Sequence, residues 1–279
     1  MNALPPSPRL HRRDVLRALG GAALCAVPAG WAQSPTSTRL LINEAVTADL
    51  SISMLAVRYR NWADYLLPSL KTRSVMIDPI IDIRRFVQQA VADEKPMVVF
   101  GKSVNQLSKL VRDHGYQPLV ARSDPYRSAF IVPKDSTIRD LHQLGGRKLL
   151  MPDESSATAA VAKAELRHRG VRDPFISYTR FQDSVAAQVA SGLAEAGVVN
   201  PTIARKWREA GGMVIGETQP VVNWSVLASP KAPPELVAKL SEMLLAMNSQ
   251  PALLADIGVK QWQKADRKEY LALLEYTGE

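Results

Sequence analysis

Short apolar runs alternate with longer stretches whose apolar residues recur at helical spacing, and this alternation organises the chain from residue 39 onward. Such a pattern predicts βα units and an α/β fold with mostly parallel sheets. Arg39 to Val46 reads as a first strand. Ser51 to Leu70 reads as a helix, with Met54, Leu55, Val57, Tyr59, Trp62, Tyr65 and Leu66 at helical period. Ser74 to Ile80 and Pro96 to Phe100 are further strands, each followed by a helix: Asp82 to Ala92, then Gly101 to His114. Gly115 suits a left-handed cap on the last of these.

The pattern then changes. Pro118 to Ala121 and Arg127 to Val132 are short extended runs separated by the turn Ser123-Asp124-Pro125. A helix is expected at Ile138 to Leu144. Three strands follow, at Lys148 to Met151, Phe175 to Thr179 and Ala194 to Val199, with helices at Glu154 to Arg169, Asp183 to Ala190 and Thr202 to Glu209. Val221 to Ala228 is a late extended run. The tail carries helices at Pro234 to Asn248, Pro251 to Asp256 and Asp266 to Tyr276. This order predicts one lobe over residues 33–121, completed by about 222–279, and a second over 122–221. No low-complexity tether separates them, so crossing strands are the expected connection.

Ahead of this pattern, Arg9, His11, Arg12 and Arg13 precede an apolar stretch from Ala18 to Val27 and the small residues Gly30 and Ala32. That is the layout of a cleavable secretory signal over residues 1–32. Its apolar stretch is about half the ~20 residues a membrane-spanning helix needs. Arg12-Arg13-Asp14-Val15-Leu16-Arg17 fits a twin-arginine signal except at Val15 and at the preceding His11, and an ordinary Sec signal is the alternative. The chain's one cysteine, Cys25, falls inside this leader. The expected mature chain therefore has no disulfide, no cysteine nucleophile and no thiolate metal site. Lipidation at Cys25 is disfavoured by Leu24, because a small residue precedes a lipobox cysteine.

Removing 32 of the 279 residues leaves 247, enough for two lobes. The formal charge of +8 falls to about +5 without the leader's four arginines and one aspartate. This surplus is scattered, which argues against nucleic acid and permits an anionic solute. His114, His142 and His168 lie on polar helical stretches without metal-ligand spacing. The chain has no Gly-x-Ser-x-Gly elbow, no phosphate-loop glycines and no HExxH. The expectation is no catalytic residue, no metal and no cofactor.

Met151 to Thr158, joining a strand to a helix, holds the most informative polar cluster. Ser155, Ser156 and Thr158 can cap the helix, or their hydroxyls and free N–H groups can hold an anion at the positive end of the helix dipole. Their position at the carboxyl end of a strand is where α/β proteins bind ligands. Asn43 and Glu44 end the first strand, and Lys102 and Ser103 follow the third, on the same expected cleft. Lys102 pairs with an anion or is a solvated lysine at a helix start. Tyr126 lines the hinge or packs there. Asp183 caps a helix or contacts ligand. Asn223 and Trp224 reach the cleft from the late run, or the tryptophan is core.

A family resemblance rests on Arg58-Tyr59-Arg60-Asn61-Trp62-Ala63-Asp64-Tyr65-Leu66, Tyr126-Arg127-Ser128, and Ser136 to Leu141 with Leu144 to Lys148. Ser191 to Val198 adds to it. With the leader, these segments resemble phosphonate-type periplasmic substrate-binding proteins of ABC transporters across nearly all the mature chain. The resemblance implies a type II periplasmic-binding fold, two βα lobes joined by crossing strands. It also implies an inner-membrane ABC permease as partner, a small solute (an oxyanion) as ligand, and a periplasmic monomer. The family's anion loop falls on Ser155, Ser156, Ala157 and Thr158, with Ala157 replacing a serine. Gln182 and Asp183 stand where histidine is common, and Asn200 where an acidic residue can close a strand. The amino-group half of an aminophosphonate site is therefore not supported. A ligand-sensing adaptor for a membrane signalling partner, or an exported enzyme, are the competing readings.

Overall fold

The computed structural model describes residues 37–44 and 51–279. The leader, Cys25 and the Ala45–Val46 end of the expected first strand lie outside these residues.

Two sheets carry the fold. The first contains β1 (Thr38–Asn43), β2 (Val75–Ile80), β3 (Val98–Gly101), β4 (Gln117–Arg122), β10 (Ser225–Ala228) and β11 (Trp262–Lys264), in the spatial order β11-β4-β10-β3-β1-β2. The second contains β5 (Ala129–Val132), β6 (Lys148–Met151), β7 (Phe175–Tyr178), β8 (Ala196–Val199) and β9 (Met213–Glu217), in the order β7-β6-β8-β5-β9. Residues 123–128 and 218–224 cross between them, bridged where Tyr126 N donates to Val221 O (2.8 Å) and Val221 N to Tyr126 O (3.0 Å).

The sheets are mixed, against the expectation of mostly parallel ones. β1 pairs parallel with β2 and β3, and β6 with β7 and β8. β10 runs antiparallel to β3 and β4, and β5 antiparallel to β8 and β9. The reason is topological. Each chain segment that has just crossed enters its new sheet from the opposite end, so it cannot follow the βα direction. β9 and β11 were not anticipated.

Helices cover the faces. α1 (Ile52–Arg58) and α2 (Arg60–Leu70) replace the single expected helix, which breaks at Tyr59 (φ −89°, ψ 0°). With α8 (Pro234–Ala246) and α9 (Pro251–Asp256) they enclose one core layer of the first sheet, centred on Trp62, Phe100 and Trp262, whose rings meet edge to face. The other layer is built with α3 (Ile83–Val91), α4 (Val104–Asp113) and α10 (Arg267–Thr277). α5 (Ala157–His168), α6 (Gln182–Ala190) and α7 (Pro201–Glu209) flank the second sheet. The helix expected at Ile138 to Leu144 shrinks to one 3-10 turn, Leu141–Leu144, capped by the Asp140 carboxylate and ended by Gly145-Gly146. Gly115 takes the predicted left-handed conformation (φ +70°) after α4. Among the described residues no helix is long and apolar enough to cross a membrane.

Candidate ligand-binding site

The carboxyl ends of β1, β3, β6 and β8 point the starts of α4 and α5 at one seam between the sheets. Asn43, the last residue of β1, is fully buried and uses both ends of its amide. It donates to Ile80 O (3.4 Å) and accepts from Ser103 N (3.2 Å), which fixes the entry into α4. Ser103 is the N-cap of α4, without a side-chain capping bond.

Lys102 is buried too, and it is not solvated. Its ammonium lies 2.5 Å from Glu44 Oε2 and 4.3 Å from the centre of the Trp224 ring. Glu44 also accepts from the Tyr59 hydroxyl, and Arg58 Nη1 stands 3.8 Å away. Arg122 also lies over Trp224, at 4.5 Å, so that ring meets two cations. Burial pulls the Lys102 ammonium below its ordinary value and Glu44 pulls it back up. Burial, reinforced by the Glu44 charge, pushes the Tyr59 phenol well above its ordinary value.

The second sheet supplies hydroxyls. Ser156 is the N-cap of α5, accepting from Ala159 N at 3.1 Å. Ser155 N is held by Asp153 Oδ1 (2.8 Å), and the Ser155 hydroxyl has no hydrogen-bond partner among the described residues. Thr158 is 2% exposed, and its hydroxyl lies 2.5 Å from the Tyr126 hydroxyl. Thr158 Oγ1 also accepts from Gln182 Nε2 (2.9 Å), and Gln182 Oε1 accepts from Asn200 N at 2.6 Å. Asn200 is itself the N-cap of α7, accepting from Ile203 N. Burial raises the Tyr126 phenol, opposed by hydrogen bonds to Thr158, Ser128 and Gln182. Tyr126, Thr158, Gln182 and Asn200 thus form one chain from the crossing segment to α7.

Asp183 stands apart. It is exposed, and the N-cap of α6 is Phe181, not Asp183. The residue facing the seam is its neighbour Gln182, 5% exposed.

Three contacts not foreseen join the two halves. Asn105 Nδ2 (3.1 Å) and Gln106 Nε2 (2.9 Å), both in the first turn of α4, donate to the Ser155 carbonyl before α5. Ala157, the position lacking the family's serine, shares one buried apolar cluster with Val161 of α5 and with Val104 and Leu107 of α4. A methyl there joins an apolar contact that a hydroxyl would disturb. Beside this seam, Ile81, Asp82 and Ile83 face Asp153, Arg180 and Phe181 around a cavity of about 10 Å³. A larger groove of about 420 Å³ runs along the crossing segments and α10, lined by Arg122, Gln219, Val221, Asn223, Glu269 and Tyr276; Lys102 and Ser155 do not reach it. Among the described residues no cluster of His, Cys, Asp or Glu is placed to hold a metal ion.

The model of a protein family described as the phosphonate periplasmic substrate-binding protein of ABC transporters matches residues 45–270. The chain belongs to this family. Its members are periplasmic solute receptors that serve a membrane permease. No curated protein matches the chain significantly. Among solved structures, a Xanthomonas citri protein bound to ATP is 18% identical with a TM-score of 0.72, over 87% of this chain and 97% of that one. PhnD1 from Prochlorococcus marinus, in complex with methylphosphonate, gives 16% identity and a TM-score of 0.70 over 86% and 97%. The periplasmic aliphatic sulphonate binding protein SsuA from Escherichia coli gives 13% and 0.59 over 87% and 84%. These likenesses show the fold, the type II periplasmic-binding architecture of two βα lobes joined by crossing strands.

Proposed function

We propose that this receptor captures a small oxyanion at the start of α5, between the lobes, and releases it to an ABC permease. The observation that carries the reading is the grouping of Ser155, Ser156, Thr158 and Tyr126 at a helix N-terminus that faces α4 across the seam. Free N–H groups and hydroxyls there suit a negative charge without a resident cation. Lys102 does not serve as that cation, because Glu44 already holds it. Hinge motion about residues 123–128 and 218–224 admits the solute, and closure buries it.

The protein acts as a periplasmic monomer after removal of residues 1–32, through either export route, and it catalyses no reaction. A thermal-shift screen of the purified mature chain against small phosphonates, sulfonates and inorganic oxyanions tests the reading, since ligand bound only by the folded state raises the melting temperature. Stabilisation by one oxyanion class supports it. A panel without effect contradicts it. Arg12→Lys with Arg13→Lys separates the routes, because only twin-arginine export is lost.

A further inference from the structure

Asn105 is fully buried, and the two ends of its amide are treated unequally. Nδ2 donates to the Ser155 carbonyl, while Oδ1 has no hydrogen-bond partner among the described residues. Turning the amide over would set two carbonyl oxygens against each other, so the orientation is fixed by chemistry. Because Oδ1 shares a carbon with Nδ2, the unpartnered acceptor lies at the seam, beside the start of α5. Gln106 Nε2 donates to the same Ser155 carbonyl, which is an acceptor and cannot satisfy Oδ1. A buried acceptor without a donor costs about 1–3 kcal/mol.

Resting on the oxyanion reading above, we propose that Asn105 is a specificity-determining residue. It selects an oxyanion that still carries a proton, such as a hydrogen phosphonate, over a fully ionised one of equal charge. The ligand's P–O–H donates to Oδ1, and its remaining oxygens accept from the donors at the start of α5. A sulfonate, which has no proton to give, turns an oxygen lone pair toward Oδ1 and leaves it unpartnered. Sites built to read a donor reject the analogue that lacks one. The same amide that draws the lobes together through Ser155 thereby inspects what lies between them.

The test compares methylphosphonate with methanesulfonate by isothermal titration, at a pH where the phosphonate keeps one proton, so that the two probes match in charge and shape. Wild type is expected to bind the phosphonate at least about tenfold more tightly, and Asn105→Ala to lose most of that preference. Equal affinities in wild type, or a preference that survives in Asn105→Ala, overturn the assignment while leaving the oxyanion site intact. If neither probe binds wild type, this inference fails, and the full oxyanion panel decides the reading on which it rests. Should Asn105→Ala not fold, the wild-type comparison decides alone.

Discussion

Lys102 and Glu44, 58 positions apart in sequence, form a buried ion pair at 2.5 Å, at the ends of neighbouring strands of the first sheet. Breaking such a pair from one side is expensive, because the remaining charge stays in a poorly solvated place. Lys102→Met is expected to lower stability by about 3 kcal/mol. Lys102→Met with Glu44→Gln should recover most of that loss. Urea unfolding of the single and double variants checks this; strictly additive losses would show that the pair does not act as a unit.

The buried phenols give an alkaline limb. Tyr59, Tyr116, Tyr126, Tyr270 and Tyr276, five of the chain's seven tyrosines, are raised above the ordinary 10.0, in each case chiefly by burial. Above that value the unfolded chain loses phenolic protons that the folded chain retains. Their contribution is therefore complete below it and lost as pH rises through the folded values. The urea midpoint should fall between about pH 9 and pH 11, and less steeply in Tyr126→Phe. A flat alkaline profile would contradict the burial assigned to these rings.

Glu165 ties the second lobe to the hinge and to α10. Its carboxylate accepts from Tyr276 Oη (2.7 Å), Arg169 Nε (2.8 Å) and Gln219 N (3.0 Å). Burial pushes its carboxyl upward, yet these hydrogen bonds outweigh it and hold the value below the ordinary 4.5. The contribution is thus present above that value and lost as pH falls through the lowered one. Glu165→Ala should cost about 2 kcal/mol, because it strands the Tyr276 hydroxyl and the Gln219 N–H, and flatten the acid side of the stability profile. An unchanged acid limb would remove Glu165 from the account.

Gln182 holds Thr158 with one end of its amide and the Asn200 backbone with the other. Gln182→Leu leaves the half-buried Asn200 N–H without its acceptor, at a cost of about 1 kcal/mol. It also frees the Thr158 hydroxyl to turn, so oxyanion affinity should drop in the same variant. Stability lost with affinity unchanged would confine Gln182 to a structural role.

Much of this architecture was legible in the sequence, because strands such as Lys148–Met151 and helices such as Pro251–Asp256 are bounded by glycine, proline and polar residues. Strand β11 was not, since three residues carry no readable period, and β9 is interrupted by Gly216 immediately after the Gly211-Gly212 break. The site was half legible. Ser156 and Thr158 stand out by residue type at a strand-to-helix junction. Gln182 and Asn105 do not, being ordinary polar residues whose roles come from partners in distant segments. Lys102 follows β3 as the pattern predicts, but its pairing with Glu44 is a long-range contact with no local signature.

The most direct test of the central claim is titration calorimetry of small oxyanions into the mature wild-type chain and into Ser155→Ala with Ser156→Ala. The account predicts that wild type binds at least one oxyanion with one-to-one stoichiometry, and that the double variant, still folded, binds it at least about tenfold more weakly. Equal affinity in the two proteins would contradict it by removing the start of α5 from the site.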